Sequence, residues 1–323
     1  MTTAPPSPIR LGISACLLGD QVRFDGGHKR DPFLIDTVGP FVEWLKVCPE
    51  VESGMGTPRE SIRLVEEDGR LRVLTVRTGI EHTASLTTWA ARRVRELAAE
   101  ELSGFVVKKD SPSCGMVRVK VYGPPGTTGS AGRHGRGVFT GALLDAYPDL
   151  PVEEEGRLSD PRLRENFIER VFAYRRVRDF FAPRWTMGGL VAFHTRQKLV
   201  LMAHSPKAYQ EIGRLVAQAK GMDRETLRSR YISEFMAALR VMATPRRQAN
   251  VLQHMVGYFS DALDPASRAE LAQTITDYRL GQIPLVVPVT LIRHFVRLYN
   301  VAYLAGQVYL EPHPKELMLR NHV

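Results

Sequence analysis

The chain has few cysteines and no long apolar run, and both shortages limit what it can be. Three cysteines in 323 residues cannot form a disulfide framework, and their odd number fits a reducing compartment, so we expect a cytoplasmic protein. The longest strongly apolar run, 284–292, is too short to span a bilayer and contains two prolines, so we expect no membrane segment. Residues 1–8 lack a basic region ahead of an apolar stretch, which predicts a frayed leader and no secretory signal.

Length and charge predict two domains. A single hydrophobic core usually stops growing before a chain reaches 323 residues. Residues 1–156 carry 19 Lys and Arg against 21 Asp and Glu, a net charge of −2, whereas residues 157–323 carry 25 against 14, a net charge of +11. A basic half favours a polyanionic partner such as RNA, because phosphate neutralisation releases counterions. The alternative is a solvated surface with scattered arginines.

The first part of the chain has the pattern of an α/β layered sheet, in which short apolar runs alternate with amphipathic stretches. Strands are predicted at 9–15, 70–78, 104–107 and 117–122, and helices at 33–47, which ends in a short strand, and at 83–103. Turn formers dominate residues 123–137, so a mobile loop is predicted there.

From Asp160 onward the apolar spacing is helical. Asp160 and Pro161 form a helix start signal, and the first predicted helix reaches about residue 181. We therefore predict a Rossmann-like α/β domain at 1–150 and an all-α domain at 157–323, joined by a Pro- and Glu-rich linker within 147–160. The other predicted helices lie at 188–203, 206–220, 224–242, 245–263, 265–280 and 288–300.

Each cysteine follows a predicted strand in a turn-like setting. Because strand ends meet at one edge of a layered sheet, Cys16, Cys48 and Cys114 could come together there. Three thiolates without a fourth suit a four-iron, four-sulfur cluster with one open iron. Their separations of 32 and 66 residues match no compact metal motif, however. On spacing alone, the alternative of three small buried hydrophobic side chains stays open.

Four short motifs occur in order between residues 9 and 145 and together resemble the thiouracil desulfidase family. The rest of the chain is similar to the helical domain that is fused to this family in bacterial tRNA 4-thiouridine desulfidases. Residues 194–206 and 250–259 carry this second resemblance. The chain departs from the family pattern at Phe24, where tyrosine is frequent, and at 53–55, where paired glycines are common. The motifs are Ser14-Ala15-Cys16-Leu17-Leu18-Gly19, Phe24-Asp25-Gly26-Gly27, Val47-Cys48-Pro49-Glu50 with Gly54-Met55-Gly56-Thr57-Pro58-Arg59, and Lys109-Asp110-Ser111-Pro112-Ser113-Cys114-Gly115.

The resemblance implies a cofactor, a reaction and a set of roles. The three cysteines would hold a 4Fe-4S cluster, and Glu50 would act as general acid and base. Ser111 and Ser113 would donate or relay hydrogen bonds. The implied reaction is hydrolytic removal of sulfur from 4-thiouridine in tRNA, giving uridine and hydrosulfide without net redox change. The expected substrate contacts are Asp25, Lys108, Lys109 and Asp110, of which Asp25 also fits a purely structural place in its turn.

The basic second domain is interpreted as a tRNA-binding domain. Two alternatives stay open: desulfidation of free thiouracil or thionucleosides, and a non-catalytic RNA-binding protein with a structural or sensing metal site of zinc or iron and sulfur. The sequence indicates no protein partner and does not reveal an oligomeric state. The residues expected to contact RNA phosphates are Lys198, Lys207, Arg246, Arg247, Arg293 and Arg297.

Overall fold

The computed structural model describes residues 8–124 and 131–323, and the chain divides into two compact units, Met1–Asp160 and Pro161–Val323. The leader expected at 1–8 therefore lies almost wholly outside the described residues. The strands of the first unit are β1 (Ile9–Ser14), β2 (Val42–Val47), β3 (Ile62–Glu67), β4 (Arg70–Thr75), β5 (Phe105–Val107), β6 (Val119–Tyr122), β7 (Gly132–Gly135) and β8 (Val152–Glu154). Its α-helices are α1 (Pro49–Glu52), α2 (Thr83–Glu96) and α3 (Val138–Ala146).

The main sheet of this unit is parallel, with strand order β2-β1-β5-β8. Leu11 and Ile13 on one face of β1 and Gly12 and Ser14 on the other are all buried, as expected for a parallel strand covered on both faces. Gly12 permits the close approach of β1 and β5, because a Cβ atom at this position would lie 2.1 Å from the ring of Phe105. The parallel sheet confirms the α/β class predicted for this half.

A second four-stranded sheet has the order β4-β3-β6-β7, with two antiparallel hairpins joined by parallel pairing of β3 and β6. It packs through a small apolar cluster that includes Leu64 and Val121. The loop predicted at 123–137 is wrong in its second part, because β7 pairs with β6 there. Residues 125–130 of that prediction lie outside the described residues.

The linker predicted within 147–160 is also wrong. Val152, Glu153 and Glu154 form strand β8, which pairs in parallel with β5, and all three residues are buried. Both glutamates can be buried because their carboxylates accept hydrogen bonds. Glu153 accepts from the Arg157 side chain, and Glu154 accepts from two backbone N–H groups. The acidic composition that suggests a solvated linker thus belongs to an edge strand of the sheet.

The second unit is helical among its described residues, in agreement with the all-α prediction. Five of its helices begin with a Thr, Ser or Asp side chain that accepts a backbone N–H, which explains where the chain turns into each helix. Within the described part of the chain, no helix has the length and hydropathy needed to cross a membrane. The helices are α4 (Pro161–Phe180), α5 (Met187–His204), α6 (Pro206–Ala217), α7 (Arg224–Arg240), α8 (Pro245–Val256), α9 (Pro265–Arg279), α10 (Val286–Leu298) and α11 (Ala302–Ala305).

Candidate active site

The three cysteines line one cavity of about 330 Å³ at the carboxyl edge of the parallel sheet. Cys16 lies in a 3-10 turn directly after β1, and Cys48 follows β2 at the start of α1. Cys114 lies in the loop that follows β5. Strand order β2-β1-β5 places these three strand ends side by side, so the topology brings together residues that lie up to 98 positions apart in the sequence.

Local hydrogen bonds fix the first two cysteines. The carbonyl of Cys16 accepts the backbone N–H of Lys29 at 2.9 Å. The backbone N–H of Cys48 donates to the Glu52 carboxylate at 2.8 Å, which closes the first turn of α1. The Cys48 thiol donates to the carbonyl of Val22 at 3.9 Å. Both cysteines are thus held at the ends of the strands that precede them.

The amino-terminal end of α3 holds the Cys114 turn. The backbone N–H groups of Val138 and Phe139 donate to the carbonyls of Pro112 and Ser113, at 3.1 and 3.0 Å. Gly137 is required for this contact, because a Cβ atom there would lie 2.6–2.7 Å from the backbone of the Cys114 turn. A helix start normally leaves its first N–H groups without partners, and here the turn supplies carbonyl acceptors.

Burial makes all three thiols poor acids. It raises the pKa of Cys16 to about 11, with the Cys48 thiol adding to the effect. Burial raises the pKa of Cys114 to about 12, although hydrogen bonds from Ser14 and Ser113 act to lower it. Burial also raises the pKa of Cys48. Cys16 interacts electrostatically with both other cysteines, which is consistent with their shared cavity.

Among the residues that the structure describes, no group of three or more His, Cys, Asp or Glu side chains is arranged to hold a single metal ion.

Glu50 lies in the cavity lining with both carboxylate oxygens engaged. Its Oε2 atom accepts from Arg59, whose Nε is 2.8 Å away and whose Nη2 also donates to it. Its Oε1 atom accepts from the hydroxyl of Ser113 at 2.8 Å. The Arg59 guanidinium also donates to the carbonyls of Gly56 and Val22, so it fixes the carboxylate to the surrounding backbone.

The two serines differ in what they touch. Ser113 is 1% exposed, and its Oγ atom lies 3.6 Å from the sulfur of Cys114 as well as against Glu50. Ser111 Oγ instead accepts the backbone N–H of Cys114 at 3.1 Å and lies 3.0 Å from Ser113 Oγ. Ser111 therefore shapes the turn, whereas Ser113 joins the carboxylate to a cysteine.

The residues expected to bind substrate are not all in the cavity. Lys108, Lys109 and Asp110 line it, but Asp25 does not: its exposed carboxylate accepts the backbone N–H of Gly27 at 3.0 Å, as a turn residue would. Lys108 is ion-paired with Glu155, and both side chains are largely buried. Glu155 was not among the predicted site residues, because it lies in the segment that was predicted to be a linker.

The six residues expected to bind RNA occupy the second unit, and two of them have clear intramolecular roles. Arg247 donates to the carbonyls of His204 and Met242, the latter at 3.1 Å. Arg293 pairs with Glu311. The side chain of Lys207 is 86% exposed and lies 3.8 Å from Glu211. Arg246 and Arg297 are exposed, and Lys198 is half-buried.

Comparison with known proteins matches both units. Residues 11–155 match the family described as 2-thiouracil desulfurase, and residues 198–314 match a family described as a protein of unknown function, DUF1722. The uncharacterized protein YbgA of Escherichia coli (strain K12) is 34% identical over 161 residues, which are 50% of this chain and 95% of YbgA. The uncharacterized protein YbbK of Bacillus subtilis (strain 168) is 28% identical over 109 residues, 32% of this chain and 71% of YbbK.

Among solved structures, the [4Fe-4S]-dependent thiouracil desulfidase TudS is 29% identical to this chain in sequence. The match covers 47% of this chain and 94% of the TudS chain, with a TM-score of 0.39. The chain thus combines a domain of the 2-thiouracil desulfurase type with a DUF1722 domain. It belongs to the family that includes YbgA.

Proposed function

We propose that the protein is a desulfidase that hydrolytically removes sulfur from 4-thiouridine in tRNA, giving uridine and hydrosulfide. The observation that carries this proposal is the meeting of Cys16, Cys48 and Cys114 with Glu50 and Ser113 around one cavity. The match of residues 11–155 to the 2-thiouracil desulfurase family supports the same chemistry.

The cavity suits a four-iron, four-sulfur cluster held by the three cysteines. In such a cluster each thiolate binds a different iron, so the ligands need not converge on one point as they do around a single ion. Burial keeps the three thiols protonated, and metal coordination replaces such protons outright. When bound, the cluster supplies one iron without a protein ligand, which acts as a Lewis acid towards a thiocarbonyl sulfur.

In this proposal Glu50 accepts a proton from the attacking water. Arg59 fixes Oε2, which leaves Oε1 as the oxygen that faces Ser113. The Ser113 hydroxyl, which lies between this oxygen and Cys114, orients the carboxylate and relays the proton towards the departing sulfur. Water oxygen replaces sulfur at the ring carbon, and both water protons leave with the sulfur or with the buffer, so no electrons are exchanged.

The charge of the second half favours an RNA substrate over a free base. Residues 157–323 have a net charge of +11, and Lys207, Arg246 and Arg297 are exposed there. A free thiouracil has no phosphate and gains nothing from an extended cationic surface, whereas a polynucleotide gains affinity through counterion release.

The proposal is tested with full-length protein reconstituted anaerobically with iron and sulfide. It is incubated with tRNA that contains 4-thiouridine and, separately, with free thiouracil, and hydrosulfide is measured in both. Unthiolated tRNA is the blank. We expect faster release from tRNA. Release from thiouracil alone would assign the enzyme to free bases, and an iron-loaded protein inactive on both would refute the proposal.

A further inference from the structure

Phe24 presents an exposed aromatic ring in the wall of the cavity that the three cysteines line, which we call the cysteine cavity. The side chain is 40% exposed. Single exposed apolar side chains are common on protein surfaces. Among the described residues, however, this is the one exposed large apolar side chain that lines the cysteine cavity. Its place in the wall indicates that a ligand, and not the protein core, covers the ring.

The loop that carries Phe24, residues 22–29, is tied to the surroundings of the reacting centre at three points. The carbonyl of Val22 accepts from Nη2 of Arg59 at 3.0 Å, and the carbonyl of Phe24 accepts the backbone N–H of Arg59 at 2.9 Å. The backbone N–H of Lys29 donates to the carbonyl of Cys16 at 2.9 Å. Because Arg59 also fixes the catalytic carboxylate, the ring is held in a set position relative to the groups that react.

Hydrogen bonds within the loop hold the turn that presents the ring. The backbone N–H of Arg23 donates to the carbonyl of Gly27 at 3.2 Å, and the Asp25 carboxylate accepts the backbone N–H of Gly27 at 3.0 Å. The Arg23 guanidinium lies over the Phe24 ring, with its central carbon 5.4 Å from the ring centroid. Arg23 thus covers one face of the ring by a cation–π contact.

We infer that the Phe24 ring stacks on the pyrimidine ring of the thiolated base and makes the site selective for planar bases. The inference deepens the proposed function and rests on it, because it assumes that a thiolated base enters the cysteine cavity. An aromatic side chain binds a base through its π face, and the face of Phe24 opposite Arg23 is the one assigned to this contact. Stacking holds the base by its face and leaves its edge, which carries the sulfur, directed at the cysteines.

The test compares a planar ligand with a puckered one on the full-length, iron-loaded protein. Uridine and dihydrouridine carry the same carbonyl and N–H groups, but the saturated ring of dihydrouridine is not planar and cannot stack. Binding of each nucleoside is measured by ligand-observed NMR titration for wild type, Phe24→Ala and Phe24→Tyr. The matched control is Leu71→Ala, because Leu71 is 42% exposed and lies on β4, outside the cavity lining. The thermal midpoint of each variant reports folding.

We expect wild type to bind uridine roughly tenfold more tightly than dihydrouridine, because stacking contributes to the first complex alone. Phe24→Ala should lose uridine affinity by about the same factor and show no preference. Phe24→Tyr keeps the ring and should keep the preference, as should Leu71→Ala. A purely structural role of the ring would lower the affinity for both nucleosides equally. Equal binding of the two nucleosides by wild type, or a full preference in Phe24→Ala, would overturn the inference.

Turnover gives a second readout. Phe24→Ala should raise KM for thiolated tRNA with little change in kcat, because stacking stabilises the bound substrate and the transition state alike. A higher KM for tRNA with an unchanged uridine preference would place the ring against another base of the RNA and would also overturn the inference.

Binding and turnover together separate the inference from the proposed function. If wild type releases hydrosulfide from tRNA while Phe24→Ala keeps the uridine preference, the inference fails and the proposed function stands. If wild type shows a preference that depends on Phe24 but releases no hydrosulfide, the proposed function fails and the ring contact stands.

Discussion

Replacement of Ser113 by alanine should slow desulfidation about ten- to a hundredfold and leave the cluster in place. The hydroxyl is 1% exposed and donates to Glu50 Oε1 at 2.8 Å, so water has little access to replace it. A hydrogen bond to a charged group contributes roughly 1.5–3 kcal/mol, and each 1.36 kcal/mol lost from transition-state stabilisation is about a tenfold loss in rate. The assay is kcat for hydrosulfide release from thiolated tRNA, with iron per chain measured on the same sample.

Two neighbouring serines are the controls for this prediction. Ser61 also lines the cavity, and Ser61→Ala should keep wild-type kcat. Ser111 accepts the backbone N–H of Cys114 at 3.1 Å, so Ser111→Ala should lower iron retention more than it lowers kcat per bound cluster. A wild-type kcat for Ser113→Ala, with the rate loss found at Ser111 instead, would refute the reasoning.

Further predictions concern the base, the Cys114 turn and the helical unit. Glu50→Gln should keep its iron and lose on the order of a hundredfold or more in kcat; unchanged kcat would remove Glu50 as the base. Gly137→Ala should lower the iron content of the protein and should lower its free energy of unfolding by about 1–3 kcal/mol. The reason is that the new Cβ atom would lie 2.6–2.7 Å from the backbone around Cys114. The control Gly141→Ala, where the nearest atom would be 3.7 Å away, should be neutral or stabilising; equal effects would contradict this packing. Burial lowers the pKa of His194 from 6.5 to about 4. As the pH falls, this histidine is therefore protonated in the unfolded chain before it is protonated in the folded one. The contribution of His194 to the free energy of unfolding should therefore be complete above about pH 6.5. It should fall by up to roughly 3 kcal/mol as the pH drops towards 4, as measured by urea unfolding. An unaltered pH slope in His194→Gln would contradict that assignment.

The elements with a strong local pattern were predictable from the sequence. The parallel strand β1 has apolar residues at alternate positions, Ile9, Leu11 and Ile13, and α4 has an Asp-Pro start signal, so each is recognised without tertiary information. Strand β8 was missed because its two glutamates are buried by hydrogen bonds that only the folded chain reveals. Strand β7, which pairs with the predicted strand β6, was missed because two of its four residues are glycines, which suggest loops.

The candidate active site also has some features that the sequence predicts and others that it does not. Placing Cys16, Cys48 and Cys114 after strands was enough to predict that they could share one sheet edge, because strand ends meet there. The difference between Ser111 and Ser113 was not predictable, since it depends on which hydroxyl the Cys114 turn directs at Glu50.

The most direct test of the account is the iron content per chain of anaerobically reconstituted wild type and of Cys16→Ala, Cys48→Ala and Cys114→Ala. If the three thiolates jointly hold one cluster, wild type should bind about four irons and each single variant should lose most of them. A variant that kept the full wild-type complement would show that its cysteine is not a ligand and would contradict the central claim.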